Sequence, residues 1–181
     1  QVDPCYLFFY FGNDYSVILT VTVDDFAVFA DSDEWVDTFE DKFNQKYSIK
    51  REENMNWYLG IRLDWAPDFT SVTLSQSNDV TKALTAYNIL DAANTKIPLP
   101  VSFDTSEVSK DNTLPVLTYA GLIGRLLWIA RMTRPDILCF VAMMSSFNAN
   151  FTLYHVKCVK PILQYLKGTQ NLEIKFEKNS E

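Results

Sequence analysis

Residues 20–31 read TVTVDDFAVFAD, two adjacent carboxylates set between runs of β-branched and aromatic residues. Such runs are strand formers, and on a regular strand neighbouring side chains point to opposite faces. One of Asp24 and Asp25 would then face a core and be costly to bury without a partner. A tight hairpin between YSVILTVTV (15–23) and FAVFAD (26–31) removes the conflict by setting both acids at its tip. A tip of this kind holds negative charge in a fixed position, as the oxygen ligands of a hard divalent cation such as Mg²⁺ must. A plain Asp-Asp turn is the competing reading, because Asp is a common turn residue.

Working outward, CYLFFYFG (5–12) and the turn signal GND add a strand before this hairpin. In SDEWVDTFEDKFNQKY (32–47), Trp35, Phe39 and Phe43 recur every four residues beside Val36, which predicts one apolar helical face with Asp31 or Ser32 as cap. WYLGIRLDW (57–65) and SVTLSQ (71–76), joined by APDFT, predict a second hairpin, and a helix follows over about 78–88. Residues 90–117 carry Pro98, Pro100 and Pro115 among small polar residues and read as a linker. Three helices are predicted after it, at 118–132, at 135–148 opening on Pro135, and at 153–168 ending on Gly168, with Pro161 expected to kink the last. LEIKFE (172–177) closes as a strand. The expected fold is α+β, in two parts at 1–89 and 118–181 separated by 90–117.

The 181 residues are 48% hydrophobic and 22% charged, the composition of a folded globular chain rather than a disordered one. No apolar run approaches the roughly 20 residues of a membrane-spanning helix, so no membrane partner is expected. Cys5, Cys139 and Cys158 are widely spaced and odd in number, which argues against a disulfide scaffold or a zinc site and for an intracellular, cytoplasmic location. NFT at Asn150 fits a glycosylation acceptor by chance composition. The net charge of −7 hides an asymmetry: residues 1–117 carry −11 and residues 118–181 carry +4. Polyanion contacts should therefore fall in the C-terminal third, where Arg131, Arg134, Lys157, Lys160 and Lys167 could meet phosphates. For Arg134 a structural role beside Asp136, ordering the TRPD junction, is the preferred reading. His155 reads as a structural residue, and Met143 and Met144 read as core.

The same stretches, taken in order, resemble the reverse transcriptase of copia-type long-terminal-repeat retrotransposons (Pseudoviridae). DPCYLFFYF is similar to the strand before the active-site hairpin, and TVDD (22–25) stands where that family usually has YVDD. YLGIRL (58–63), LSQ (74–76), IPL (97–99), the run YAGLIGRLLWIARMTRPDI (119–137), His155 and QYLKGT (164–169) match further segments. The resemblance implies a partial polymerase palm, an antiparallel sheet with helices, followed by a helical thumb-like lobe, without fingers or ribonuclease H. It implies Asp24 and Asp25 as catalytic, Mg²⁺-binding residues (Mn²⁺ as substitute), with a further catalytic Asp expected upstream of Gln1, so that this chain alone is expected to be inactive. Thr22 replaces an aromatic ring beside the substrate. Thr22, Trp57, Tyr58 and Gly60, with Arg131, Lys157, Lys160 and Lys167, are the implied nucleic-acid contacts. An aromatic core strand with a Gly close to another backbone is the competing reading of Trp57, Tyr58 and Gly60. The implied partners are an RNA or DNA primer-template and deoxynucleotides, with a missing N-terminal half or a homodimer completing the site, in a virus-like particle of the parent element. The alternative is a non-enzymatic remnant that binds protein or nucleic acid.

Overall fold

The computed structural model describes residues 5–10, 16–52, 55–89, 93–98 and 116–178. The GND turn and most of the Pro-rich stretch lie outside them. The fold is α+β, and the chain divides into two compact units, at 1–54 and 55–181. That division falls before the second hairpin rather than at the Pro-rich stretch. The reason is that the second hairpin hydrogen-bonds to the final strand of the chain and the helix that follows it packs on the C-terminal helices.

In the first unit, β1 (Tyr6–Tyr10), β2 (Ser16–Thr22) and β3 (Asp25–Ala30) form an antiparallel sheet in sequence order. Register pairs Val17 with Ala30, Leu19 with Val28 and Val21 with Phe26 on one face. Helix α1 (Asp33–Asn44) turns its aromatic stripe to that face, where the rings of Phe26 and Phe43 meet edge-on at 5.0 Å and Phe39 stacks on Phe43 at 5.2 Å. Ser32 is the N-cap, without a side-chain hydrogen bond, and Asp33 and Glu34 in the first turn offset the helix dipole. Arg51 returns to pair with Asp37 and Glu40 on the outer side of α1.

In the second unit, β4 (Trp57–Tyr58), β5 (Ile61–Trp65), β6 (Ser71–Ser75) and β7 (Ile174–Glu177) make an antiparallel sheet in that order. Helices α2 (Ser77–Ala86), α3 (Val116–Met132), α4 (Leu138–Ser145) and α5 (Leu153–Gly168) enclose the core. On α3 the buried residues are Tyr119, Leu122, Ile123, Leu126, Ile129 and Ala130, the i, i+3, i+4, i+7 spacing of one helical face. Each large member contributes about 2 kcal/mol by burial. Tyr119 lies flat on Phe151 at 4.5 Å and its hydroxyl donates to the Met144 carbonyl at 3.0 Å, so the phenol is buried without an orphan group.

Three local expectations change. Pro135 opens a 3₁₀ turn, Pro135–Ile137, rather than the first turn of α4. Met144 is fully buried but Met143 is 37% exposed, because one step along a helix turns the side chain by 100°. Gly168 does not cap α5 with a positive φ, which among the described glycines only Gly60 adopts. It ends the helix where the Asn94 side chain would lie 3.2 Å from an added Cβ, so it is small for packing.

His155 is structural, as its surroundings require. It occupies the third position of α5, where its Nδ1 accepts from the Thr152 backbone N–H at 2.9 Å and contacts the Thr152 hydroxyl at 3.0 Å. Its ring stacks on Phe147 at 4.1 Å and is 4% exposed. Burial holds the imidazole below its ordinary value of 6.5. Protonation would cost the acceptor at Nδ1 and place a cation at a helix N-terminus. The folded state therefore binds fewer protons than the unfolded one between the two pKa values, so this stability is complete above pH 6.5 and falls as the pH drops through the folded pKa. His155→Gln, which keeps an N3 acceptor, is expected to remove this first acid step from a urea-unfolding series between pH 7 and pH 5. A wild-type stability that is flat across that window would contradict the assignment.

Candidate functional site

The carboxylates of the opening stretch stand on a two-residue hairpin loop. Thr22 pairs with Asp25, which leaves Val23 and Asp24 as the turn. Asp25 is thus the first residue of β3 rather than part of the tip. Val23 has φ 55° and is 90% exposed, while Asp24 does not share the positive φ. Positive φ at the first central residue alone matches a type II′ turn, whose first position is ordinarily Gly. A β-branched residue there is strained by about 1–3 kcal/mol. The anchor is the sheet: Leu19 and Ala27 are buried one turn of the pleat away. Asp24 and Asp25 are both exposed, and Thr22 is half-buried beside them.

Two neighbouring carboxylates suit a Mg²⁺ ion that keeps water and substrate phosphates as its other ligands. They do not suffice for a pair of ions, and among the described residues no group of three His, Cys, Asp or Glu side chains is placed to hold a metal.

The second resembling segment has the same character. Tyr58 pairs with Ile61, so Leu59 and Gly60 form the β4–β5 loop, with φ 50° and 80°. Two positive φ values define a type I′ turn, which favours Asn-Gly over Leu-Gly. Gly60 is needed for this backbone conformation and not for close approach, since an added Cβ would meet only the Asp79 carboxylate at 3.6 Å. Trp57 is 49% exposed on β4 and Tyr58 is half-buried.

The basic residues fall into two classes. Arg134 is 3% exposed and wholly engaged: Nε and Nη2 donate to the two Asp136 oxygens at 3.0 and 2.7 Å. Nη1 donates to the Thr169 carbonyl at 2.9 Å and Nη2 to its hydroxyl at 2.7 Å. Tyr165 donates to Asp136 at 2.8 Å and lies under the guanidinium at 5.4 Å. Burial pushes the Asp136 carboxyl up, but the hydrogen bonds from Arg134 and Tyr165 and the Arg134 charge outweigh it, and the group ends below the usual 3.8. This is the structural role read from TRPD.

Lys157 and Lys160 are exposed and Lys167 half-buried on α5. At i, i+3 and i+10 they lie within about 80° of helix azimuth, away from Cys158, Val159, Ile162 and Leu166.

Arg131 stands on the outer side of α3 with residues the sequence reading passed over. Gly121 and Gly124 face open space there, beside Arg125 and half-buried Trp128. The signal was two glycines inside a strong helical run, each costing about 1 kcal/mol against Ala. Such a cost on an open face fits close approach of another backbone.

Comparison with known proteins follows this geometry. The chain is 30% identical over 164 residues to the Pol polyprotein from transposon RE1 of Arabidopsis thaliana, 91% of this chain and 11% of that protein. It is 26% identical over 175 residues to a protein of transposon Ty5-1 in Saccharomyces cerevisiae, 97% of this chain and 56% of that one. It is 25% identical over 173 residues to the Pol polyprotein from transposon TNT 1-94 of Nicotiana tabacum, of which it spans 13%. No family model matches the chain. No solved structure matches it.

If the turn is strained as described, Val23→Gly should raise stability to urea by about 1 kcal/mol, the relieved strain exceeding the added chain entropy of Gly. Val23→Ile, which keeps the strain, should not. Equal or lower stability of the Gly variant would contradict the turn geometry.

Proposed function

We propose that this retrotransposon-derived chain, related over most of its length to copia-type Pol polyproteins, is the part of a reverse transcriptase that carries the acidic palm hairpin and the helical thumb-like lobe. The observation that carries this reading is the strained Val23–Asp24 turn with two exposed carboxylates, on a sheet anchored by buried Val17, Leu19 and Ala27. Backbone strain of this kind costs stability, and sites that retain it are commonly functional.

In this reading Asp24 and Asp25 hold a Mg²⁺ or Mn²⁺ ion, which when bound supplies electrostatic stabilisation of the charge that develops in nucleotidyl transfer. Their own part is to keep two carboxylates in a fixed relation, Asp24 in the turn and Asp25 at the start of β3, with little reorganisation on binding. The β4–β5 loop, with Trp57, Tyr58 and Gly60, holds the primer strand. The outer faces of α3 and α5, through Arg131, Lys157, Lys160 and Lys167, meet the phosphates of an RNA or DNA primer-template. The apolar opposite faces of both helices fix these side chains by burial. Deoxynucleotides are the second substrate. Two carboxylates leave the catalytic set incomplete in this chain alone, so binding is expected without polymerisation.

The full chain should bind a fluorescently labelled RNA–DNA hybrid duplex with an affinity that falls linearly in log–log against salt. The triple variant Lys157→Gln, Lys160→Gln, Lys167→Gln should lower that slope by about 2 to 3. Primer extension with Mg²⁺ or Mn²⁺ should be absent. Absence of hybrid binding at low salt would contradict the nucleic-acid reading, and extension abolished by Asp24→Asn with Asp25→Asn would contradict incompleteness.

A further inference from the structure

The Arg134 network has a property that stability does not require. Replacing a buried ion pair by apolar side chains of similar volume is often neutral or stabilising. What the polar version supplies is direction, since bidentate guanidinium–carboxylate bonds fix angles that apolar contacts leave loose. The network grips α5 at Tyr165 and Thr169, one helical turn apart. The Thr169 hydroxyl also donates back to the Tyr165 carbonyl at 2.7 Å. Lys167 stands between these two grips in sequence and Lys160 five residues before the first of them, both on the outward stripe. At its other end the capping box closes the first turn of α5 on itself, and the His155 ring stacks on Phe147 at 4.1 Å.

The Thr95 hydroxyl also donates to the Pro161 carbonyl of α5 at 3.4 Å; the packing of the helix on the core is otherwise largely apolar and tolerates a small roll. On a helix about 10 Å across, a roll of about 20° moves a surface group by roughly 2 Å. That approaches the length of a hydrogen bond and is enough to take a lysine off a phosphate. Arg134 cannot make such a contact itself, because it is buried and its donors are engaged.

We propose that Arg134, Asp136, Tyr165 and Thr169 are positioning residues that set the roll of α5, so that Lys160 and Lys167 meet successive phosphates of one bound strand. The inference rests on the nucleic-acid reading given above. It assigns to the TRPD and YLKGT segments one joint role, a clamp that aims a cationic helix face.

The test uses the full chain and a fluorescently labelled RNA–DNA hybrid duplex, with dissociation constants measured across a salt series. The double variant Asp136→Asn, Tyr165→Phe is expected to bind several-fold more weakly at low salt, with a log–log slope lower by about 1 to 2, because fewer phosphates are engaged. A merely structural role would lower the folded fraction and leave the slope of the folded protein unchanged. Thr169→Val, which keeps the carbonyl acceptor, is a milder variant should the first fail to fold, and a smaller fall in slope is expected of it. Folded variants that retain the wild-type slope would overturn the clamp. If the lysine substitutions lower the slope while the clamp variants do not, this inference alone fails. If the wild-type chain does not bind the hybrid, it fails together with the nucleic-acid reading.

Discussion

The second unit depends on the Arg134 guanidinium. It is the point at which the end of α3, the 3₁₀ turn and the last turn of α5 are joined by directional bonds. Immediately beside it, Thr133 donates to the Gln76 side-chain oxygen at 2.9 Å, and Ser77 donates to the Gln170 carbonyl at 3.1 Å. The β6–α2 junction is thereby tied to the same place. Three segments far apart in sequence, LSQ, TRPD and YLKGT, thus meet in one polar cluster. The rest of the unit is held by apolar burial, which supplies most of the free energy and little of the orientation.

Against that ordered junction stand turns that oppose stability, with positive φ at Val23, Leu59 and, between β5 and β6, Phe69. Val23 and Leu59 are aliphatic residues in conformations that favour Gly or Asn, each in a two-residue loop and each in a segment that resembles the copia-type enzyme. A chain selected for stability alone would replace them cheaply. Val23 stands beside exposed carboxylates and Leu59 near exposed Trp57, and the proposed binding surface is built on these two turns. The same reasoning applies to Gly121 and Gly124, which weaken α3 on a face open to approach.

Periodicity made much of this legible. The opening stretch gave its hairpin because two adjacent acids cannot both face solvent within a flat strand, although a two-residue loop needs only one of them, and Asp25 went to the strand. The α1 face was readable from the four-residue spacing of Trp35, Phe39 and Phe43, the later helices from their Pro and Gly signals, and the structural role of TRPD from turn chemistry. The division between units was not, because it depends on β7 pairing with β6 across about a hundred residues. Alternation in a strand reveals its buried face but not its partner. Backbone strain at Val23 and Leu59 was also hidden, since a valine or leucine carries no sign of the φ it will adopt. The convergence of LSQ, TRPD and YLKGT was equally hidden, being a property of packed elements and not of any one segment.

The most direct test of the account is the urea-unfolding free energy of Arg134→Lys. Lysine keeps the charge but lacks the planar fork, so it cannot serve both Asp136 oxygens and both Thr169 acceptors at once. The account predicts a loss of about 3 kcal/mol or more, as expected when a buried guanidinium loses hydrogen bonds to a carboxylate and to two oxygens of Thr169 at once. Wild-type stability in that variant would contradict the claim that this guanidinium organises the unit.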